Sequence, residues 1–133
     1  MPFPVQARFL DAAEAALGVR FPSAYRARLA ADNGGELCAG DEVWWLHPVR
    51  DDSDRRRLAR TCNDVVRETR DARARPGFPA QAVAIAHNGA GDCLVFVPAS
   101  AHAGSLDEPV WRWDHRGDGL ERVADDFWAL IEA

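Results

Sequence analysis

The chain has 133 residues and a net charge of −5, and 47% of its residues are hydrophobic and 28% charged. This length and composition are typical of one folded domain with its own core, which excludes a disordered segment. No apolar run approaches the ~18 residues of a membrane helix, and the start of the sequence lacks the basic-then-apolar pattern of a signal peptide.

The first third of the chain predicts two helices. Apolar residues recur at helical spacing over residues 5–17, and Gly18 is a suitable stop. Residues 21–23 begin a second helix, because proline is favoured in the first turn. The Asn-Gly-Gly at residues 33–35 ends it, since both residue types tolerate the left-handed conformation with which helices finish.

The middle of the chain predicts two strands and a long helix. Residues 36–39 and 43–49 are rich in β-branched and aromatic side chains, as strands are. A third helix is expected over residues 54–74. Its apolar side is predicted to hold Leu58, Cys62, Val65, Val66, Thr69 and Ala72. A neighbouring stripe holds Arg56, Arg60, Arg67 and Arg70.

The last third predicts strands over residues 83–86, 93–97 and 110–114, and a closing helix over 123–132. Gly117 and Gly119 are expected to form a turn. The connections are short, so the strands should pair mostly antiparallel. The sequence therefore predicts a single α+β domain over residues 1–133, with a twisted sheet flanked by helices.

Charge is distributed unevenly along the chain. Residues 36–54 carry six acidic side chains and one arginine, and residues 101–133 carry eight acidic side chains and three arginines. Residues 55–75 carry eight arginines and three acidic side chains. The arginine stripe is compatible with a solvated helix face, a protein-docking face or a nucleic-acid surface. Because the chain is acidic, we expect no direct nucleic-acid binding, and the acidic blocks are expected to meet a basic partner.

The glycine-rich turn at residues 88–92 is the first candidate site, because such turns cradle phosphates or present a carboxylate in some enzymes. It lacks the lysine of a P-loop, and a strand follows it where a dinucleotide-binding turn needs a helix. Asn88, Gly89 and Gly91 suit a hairpin turn with positive φ. We interpret the turn as a bend in which Asp92 bonds backbone donors.

Metal-binding and catalytic patterns are weak. The four histidines are His47, His87, His102 and His115. None has the i, i+4 spacing of a zinc-peptidase helix, and no Cys-x-x-Cys occurs. Asp114 and His115 end a strand, where they either bind a ligand or satisfy a turn. No Gly-x-Ser-x-Gly motif is present, so we expect no catalytic residue, no cofactor and no metal.

The cysteines indicate the cellular compartment, and the tryptophans indicate which side chains are buried or available for contacts. Three cysteines, odd in number and widely spaced, argue against disulfides and a zinc ribbon and favour a cytoplasmic protein. Cys93 follows an acid, which raises the pKa of its thiol. Trp44 and Trp45 must point to opposite faces of a strand, so one of them is expected in the core. Arg112 lies on the face opposite Trp111 and Trp113, and exposed Trp and Arg form interface hot spots.

Several of these motifs together resemble the SUKH superfamily, which includes the yeast cell-wall-assembly regulator and many small bacterial immunity proteins. The stretch LGVRFPSAYRARLAADNGGEL at residues 17–37 is similar to its first segment. Its later pattern is an I-x-x-N-G-x-G-D turn, an aromatic strand ending in Asp-His, and a closing helix. The matching residues are Ile85, Asn88, Gly89, Gly91 and Asp92, then Trp113, Asp114 and His115, then Ala124, Asp125, Asp126, Phe127 and Leu130.

The resemblance implies a non-enzymatic α+β module that binds a protein, in bacterial members a toxin that the neighbouring genes encode. Two alternatives remain open: a regulatory scaffold with a cellular partner, and a small-ligand or metal-binding enzyme that uses Asp92, Asp114 and His115. The candidate partner-binding or structural residues are Asp41, Glu42, Trp44, Asp92, Arg112, Asp114 and His115.

Overall fold

The computed structural model describes residues 2–39, 41–99, 104–116 and 119–132. The elements of the first half are α1 (Ala7–Leu17), α2 (Ser23–Ala31), β1 (Gly35–Ala39), β2 (Glu42–Leu46), α3 (Arg55–Arg60) and α4 (Val65–Arg73). Those of the second half are β3 (Val83–His87), β4 (Cys93–Phe96), β5 (Val110–Trp113), β6 (Leu120–Ala124) and α5 (Phe127–Glu132).

The six strands form one sheet in the order β1-β2-β3-β4-β5-β6. Each neighbouring pair is antiparallel, so the predicted α+β class is confirmed. Helix α5 packs against both edge strands, β1 and β6, and against α2. Among the described residues, no helix combines the length and the apolar character needed to cross a membrane.

The sheet is covered on both faces at its centre. Alternate residues of β4 enter two different clusters, as the two-residue period of a strand requires. Leu94 and Phe96 join the larger core with α1, α2 and α5, whereas Cys93 and Val95 join a smaller cluster with α4. Both faces of β3 and β4 are buried. The turn between these two antiparallel strands lies at one end of the sheet.

The predicted helix over 54–74 is wrong in its middle, because α3 ends and α4 begins separately. The Thr61 hydroxyl lies 2.9 Å from the Arg57 carbonyl, which closes the end of α3. The Asp64 carboxylate accepts a hydrogen bond from the Arg67 amide and starts α4. Since the helix breaks here, Leu58 and Cys62 are exposed rather than apolar-side residues. The arginine stripe is also divided between two helices.

The predicted closing helix over 123–132 is also wrong at its start. Strand β6 was not predicted, and it includes Val123, which is 40% exposed. The Asp126 carboxylate accepts a hydrogen bond from the Ala129 amide, which marks the beginning of α5. Pairing of β6 with β5 overrides the helical spacing of residues 123–127. Of the expected turn before it, Gly117 lies outside the described residues.

Two smaller differences concern the first half. The first helix begins at Ala7 rather than at residue 5, although Val5 is buried. Strand β2 ends at Leu46 rather than at residue 49. Gly18 has the left-handed φ of +69° that stops α1, as predicted. Trp44 is buried and Trp45 is 40% exposed, which confirms that the pair points to opposite faces.

Candidate functional site

A buried carboxylate, that of Asp92, lies at the end of the β3–β4 turn. Its side chain is only 6% exposed. One oxygen accepts hydrogen bonds from the His115 amide at 3.0 Å and lies 2.6 Å from His115 Nδ1. The other oxygen accepts a bond of 2.6 Å from Arg112 Nη2. The turn therefore presents its aspartate inward, to the strand end of β5, rather than to solvent.

The contacts continue from Asp92 across the sheet. The second arm of Arg112 donates to Glu42 at 2.6 Å, and the Asn88 amide donates to both Glu42 and Asp92, at 3.0 and 3.3 Å. We call Glu42, Asn88, Asp92, Arg112 and His115 the polar network. It joins the start of β2, the β3–β4 turn and the end of β5, so it holds three separate parts of the sheet together.

Two residues beside the network, Trp44 and Gly91, are of a size that suits its geometry. The Arg112 guanidinium lies 5.4 Å from the Trp44 ring, on the core side of β2. Gly91 has a φ of +103°, and a Cβ atom added there would come within 3.1 Å of the His115 ring. Only glycine meets both conditions, the positive φ and the close approach. The glycine in this turn thus leaves the space in which the His115 ring packs against Asp92.

Electrostatics favour the charged form of the network. Burial acts to raise the pKa of Asp92, but hydrogen bonds from His115 and Arg112 outweigh it and hold this pKa well below its usual range. Hydrogen bonds from Asn88 and Arg112 likewise lower the pKa of Glu42. The two carboxylates raise the pKa of Arg112. At neutral pH the network therefore holds the Arg112 guanidinium between two ionised carboxylates, those of Glu42 and Asp92.

The structure brings together six of the seven residues that the sequence singled out. Glu42, Asp92, Arg112 and His115 are in the polar network, and Trp44 lies against it. Asp114 lies 3.8 Å from His115 Nδ1. Hydrogen bonds from the Arg116 amide, at 2.8 Å, and from the Arg116 side chain, at 3.3 Å, lower the pKa of Asp114. Asp41 precedes Glu42 but is exposed, and among the described residues it forms no ion pair.

Asp92, Asp114 and His115 do have potential metal-ligand atoms within 4.8 Å of one another. Their chemistry does not fit a cation, however. Both Asp92 oxygens already accept hydrogen bonds, and the Arg112 guanidinium occupies the position next to the carboxylate. A cation would have to displace an arginine from a bond of 2.6 Å. The arrangement therefore disfavours the metal-binding alternative.

Cys93, the other candidate for chemistry, is buried beside the network. Burial raises the pKa of its thiol, and the positive charge of Arg75 opposes this shift only in part. Arg75 Nη1 lies 3.8 Å from the sulfur and its other arm donates to the Gly91 carbonyl. A protonated, buried thiol is not an activated nucleophile, in agreement with the interpretation of Cys93 from the sequence.

A stack of three rings next to the network was not predicted. The Trp45 and His87 rings lie 5.6 Å apart, and the His87 and His47 rings 5.1 Å apart. His47 is 3% exposed, and its Nδ1 has no partner among the described residues. Burial, with the charge of His87, lowers the pKa of His47 to about 4. The stack could not be predicted from the sequence, because it depends on the pairing of Trp45 with His87 across β2 and β3.

Acidification is expected to destabilise the protein through His47. Its pKa is about 4 in the folded protein and about 6.5 in an unfolded chain, so the unfolded state binds the proton first. The free energy of unfolding should therefore fall as the pH drops through this window, by about 2 kcal/mol between pH 7 and pH 5. Urea unfolding at both pH values measures it. His47→Phe removes this contribution, and parallel pH profiles of wild type and variant would contradict the assignment.

Comparison with known proteins agrees with this geometry. A family model described as the SMI1 / KNR4 family (SUKH-1) matches residues 4–133. A search of curated proteins returned no match. The family match covers both the polar network and the glycine-rich turn. The chain therefore belongs to the SMI1 / KNR4 family (SUKH-1).

Proposed function

We propose that this protein is a non-enzymatic, single-domain binding module, and that it is an immunity protein that neutralises a toxin by direct binding. The polar network carries the first part of the proposal. The acidic, basic and potential metal-ligand atoms around Asp92 are already engaged in hydrogen bonds within the protein. Such a cluster is suited to stabilise the conformation of a surface rather than to transfer protons.

Membership of the family supports the second part of the proposal. Bacterial members of the SUKH superfamily are thought to bind toxins of competing cells, and the toxin would be encoded close to the gene of this protein. Binding would take place in the cytoplasm, where such a toxin acts. The exposed aromatic residues Trp45 and Trp128, at 40% and 48% exposure, supply the kind of side chain on which protein interfaces depend.

The acidic block at residues 36–54 contributes less free negative charge than its composition indicates. Glu42 pairs with Arg112, and Asp54 and Asp51 lie 2.6 and 3.8 Å from Arg57. Asp51 is also buried. A basic partner would therefore meet mainly Glu36, Asp41 and Asp52 in this block, all of which are exposed, together with the acidic side chains of the last part of the chain.

Co-expression tests the proposed function. The neighbouring open reading frames are expressed in a susceptible host with and without this protein, and growth and complex formation are measured. We expect growth to be restored and a stoichiometric complex to elute in gel filtration, with binding weakened at high salt. Growth that stays inhibited in the presence of the folded protein would reject the immunity function. Stable recovery of housekeeping proteins instead would favour a regulatory scaffold.

A further inference from the structure

A cavity of about 360 Å³ lies between helix α4, the end of strand β3 and the β3–β4 turn. Helix α4 lines it with Glu68 and Asp71, β3 with His87, and the residue after β2 is His47. We call it the acidic cavity. Asp92 also lines it, but its carboxylate is already bonded within the polar network. The groups left to bind a ligand are therefore the carboxylates of α4 and the two imidazoles.

The walls of the acidic cavity are fixed by the fold. The Thr69 hydroxyl accepts a hydrogen bond of 3.0 Å from the Ala84 amide, which ties α4 to β3. The His47 amide donates to the Ile85 carbonyl at 2.7 Å, and the His47 ring is stacked on that of His87. A ligand would therefore meet side chains that are already ordered, which lowers the entropy cost of binding.

The lining of the acidic cavity has unused hydrogen-bonding capacity. Within the described part of the chain, the carboxylates of Glu68 and Asp71 form no hydrogen bond and no ion pair. The Nδ1 atoms of His47 and His87 are buried and have no partner there either. His47 is 3% exposed, and a buried polar atom without a partner is uncommon in folded proteins. The unpaired groups all belong to one cavity, which points to a ligand there.

The surroundings of Glu68 lack a cation. Burial raises the pKa of Glu68, and the negative charge of Asp71 adds to this rise. The charges of His87 and Arg67 act in the opposite direction but do not cancel it. This contrasts with Asp92, whose pKa is lowered by its bonds to His115 and Arg112. A positive group placed in the cavity would stabilise the ionised form of Glu68.

The arginine of the lining, Arg75, does not supply that positive group. Its Nη2 donates to the Gly91 carbonyl at 2.8 Å, and its guanidinium carbon lies 4.5 Å from the centre of the Trp113 ring. Among the described residues Arg75 forms no ion pair with a carboxylate. It is therefore held at the far side of the cavity, and Glu68 and Asp71 stay unpaired.

We propose that the acidic cavity binds an arginine side chain of a protein partner. A guanidinium has five N–H donors and no acceptor, so it satisfies the carboxylates of Glu68 and Asp71 through charge-assisted hydrogen bonds. His47 is neutral at pH 7, because burial lowers its pKa to about 4, and a neutral imidazole offers one nitrogen as an acceptor. The proposal deepens the proposed function and rests on it for the partner being a protein.

The spacing of the acceptors favours a guanidinium over a metal ion. Among the described residues, the group that brings three potential ligand atoms within 4.8 Å of one another is Asp92, Asp114 and His115. Glu68, His47 and His87 form no such group, so they do not converge on one ion, whose ligand atoms lie about 2.0–2.6 Å from it. A planar guanidinium carries its donors on three nitrogens and reaches acceptors that are farther apart.

Nuclear magnetic resonance of the isolated, isotope-labelled protein tests the proposal. The probe is acetyl-Gly-Arg-Gly-amide, compared with the same peptide containing citrulline, which has a side chain of the same shape without the charge, and with zinc chloride. We expect the arginine peptide alone to shift the imidazole signals of His47 and His87 and the amide signal of Gly89. The spectra also show whether each variant is folded.

Two double variants separate the cavity from general charge. Glu68→Gln/Asp71→Asn should bind the arginine peptide about tenfold more weakly than the wild type. Glu108→Gln/Asp125→Asn removes the same charge from two exposed side chains outside the lining and should bind as the wild type does.

Four results would overturn the proposal: no shift at millimolar arginine peptide, equal shifts with the citrulline peptide, equal weakening in both double variants, or shifts with zinc alone. Because the probe is a peptide and not the toxin, the two proposals fail separately. Unprotected cells with retained peptide binding would remove the immunity function, whereas protected cells without peptide binding would remove this site.

Discussion

Replacing Asp92 by alanine is expected to lower the free energy of unfolding by about 3 kcal/mol, because it leaves a half-buried arginine and histidine without their shared anion. Arg112 and His115 are 29% and 39% exposed. Because both side chains are partly hydrated, the expected loss of stability is at the lower end of the range for breaking a buried ion pair. The loss should appear as a reduced midpoint in urea unfolding followed by circular dichroism.

The matched control for this change is Asp125→Ala. Asp125 also pairs with an arginine, Arg122 at 2.8 Å, but its side chain is 86% exposed. Removing it should alter the free energy of unfolding by no more than about 0.5 kcal/mol. Equal effects of the two variants would show that the polar network does not stabilise the fold.

The Asp92 variant also separates architecture from recognition. If the turn serves the fold alone, Asp92→Ala loses stability but binds the partner with unchanged affinity once it is folded at low temperature. A variant that keeps wild-type stability and loses the partner would identify Asp92 as a contact residue. The inward direction of its carboxylate favours the first outcome, so we interpret the turn as a bend with a structural aspartate.

Truncation of Tyr25 is expected to give one of the largest losses of stability in the core. Tyr25 is 0% exposed, and the rings of Phe21, Phe96 and Phe127 lie 5.2, 5.3 and 5.5 Å from its own. It therefore joins α2 to β4 and α5. Tyr25→Ala should lower the free energy of unfolding by about 3–5 kcal/mol, as truncation of a buried aromatic ring does.

Tyr25→Phe should instead raise the free energy of unfolding. The Tyr25 hydroxyl is buried without a hydrogen-bond partner among the described residues, and burial raises the pKa of this phenol strongly. Removing the hydroxyl keeps the ring packing and ends its desolvation cost, so stability should rise by about 1 kcal/mol. Thermal unfolding of both variants checks the pair. A destabilised Tyr25→Phe variant would mean that the hydroxyl is bonded in solution, for example to a buried water.

The arginine stripe illustrates how a correct local pattern led to a wrong element. Residues 54–74 have helical spacing, but the break after Arg60 depends on the hydroxyl of Thr61 and the carboxylate of Asp64. The amide of Val65 also donates to Pro48 at 2.7 Å. That contact comes from another part of the chain, and the break it helps to fix is what places α3 against Phe3.

The sequence by itself determined the α+β class, the two N-terminal helices, the position of the β3–β4 turn and the membership of the family. These depend on residues that are close together in the chain, such as the glycines that permit positive φ at positions 18, 89 and 91. The tertiary structure decided that β6 is a strand, that the long helix is two helices, and that Glu42, Asp92 and Arg112 form one network. Asn88 and Arg112 reach Glu42 over 46 and 70 residues. Contacts of that separation follow from strand order and register, which local spacing does not specify.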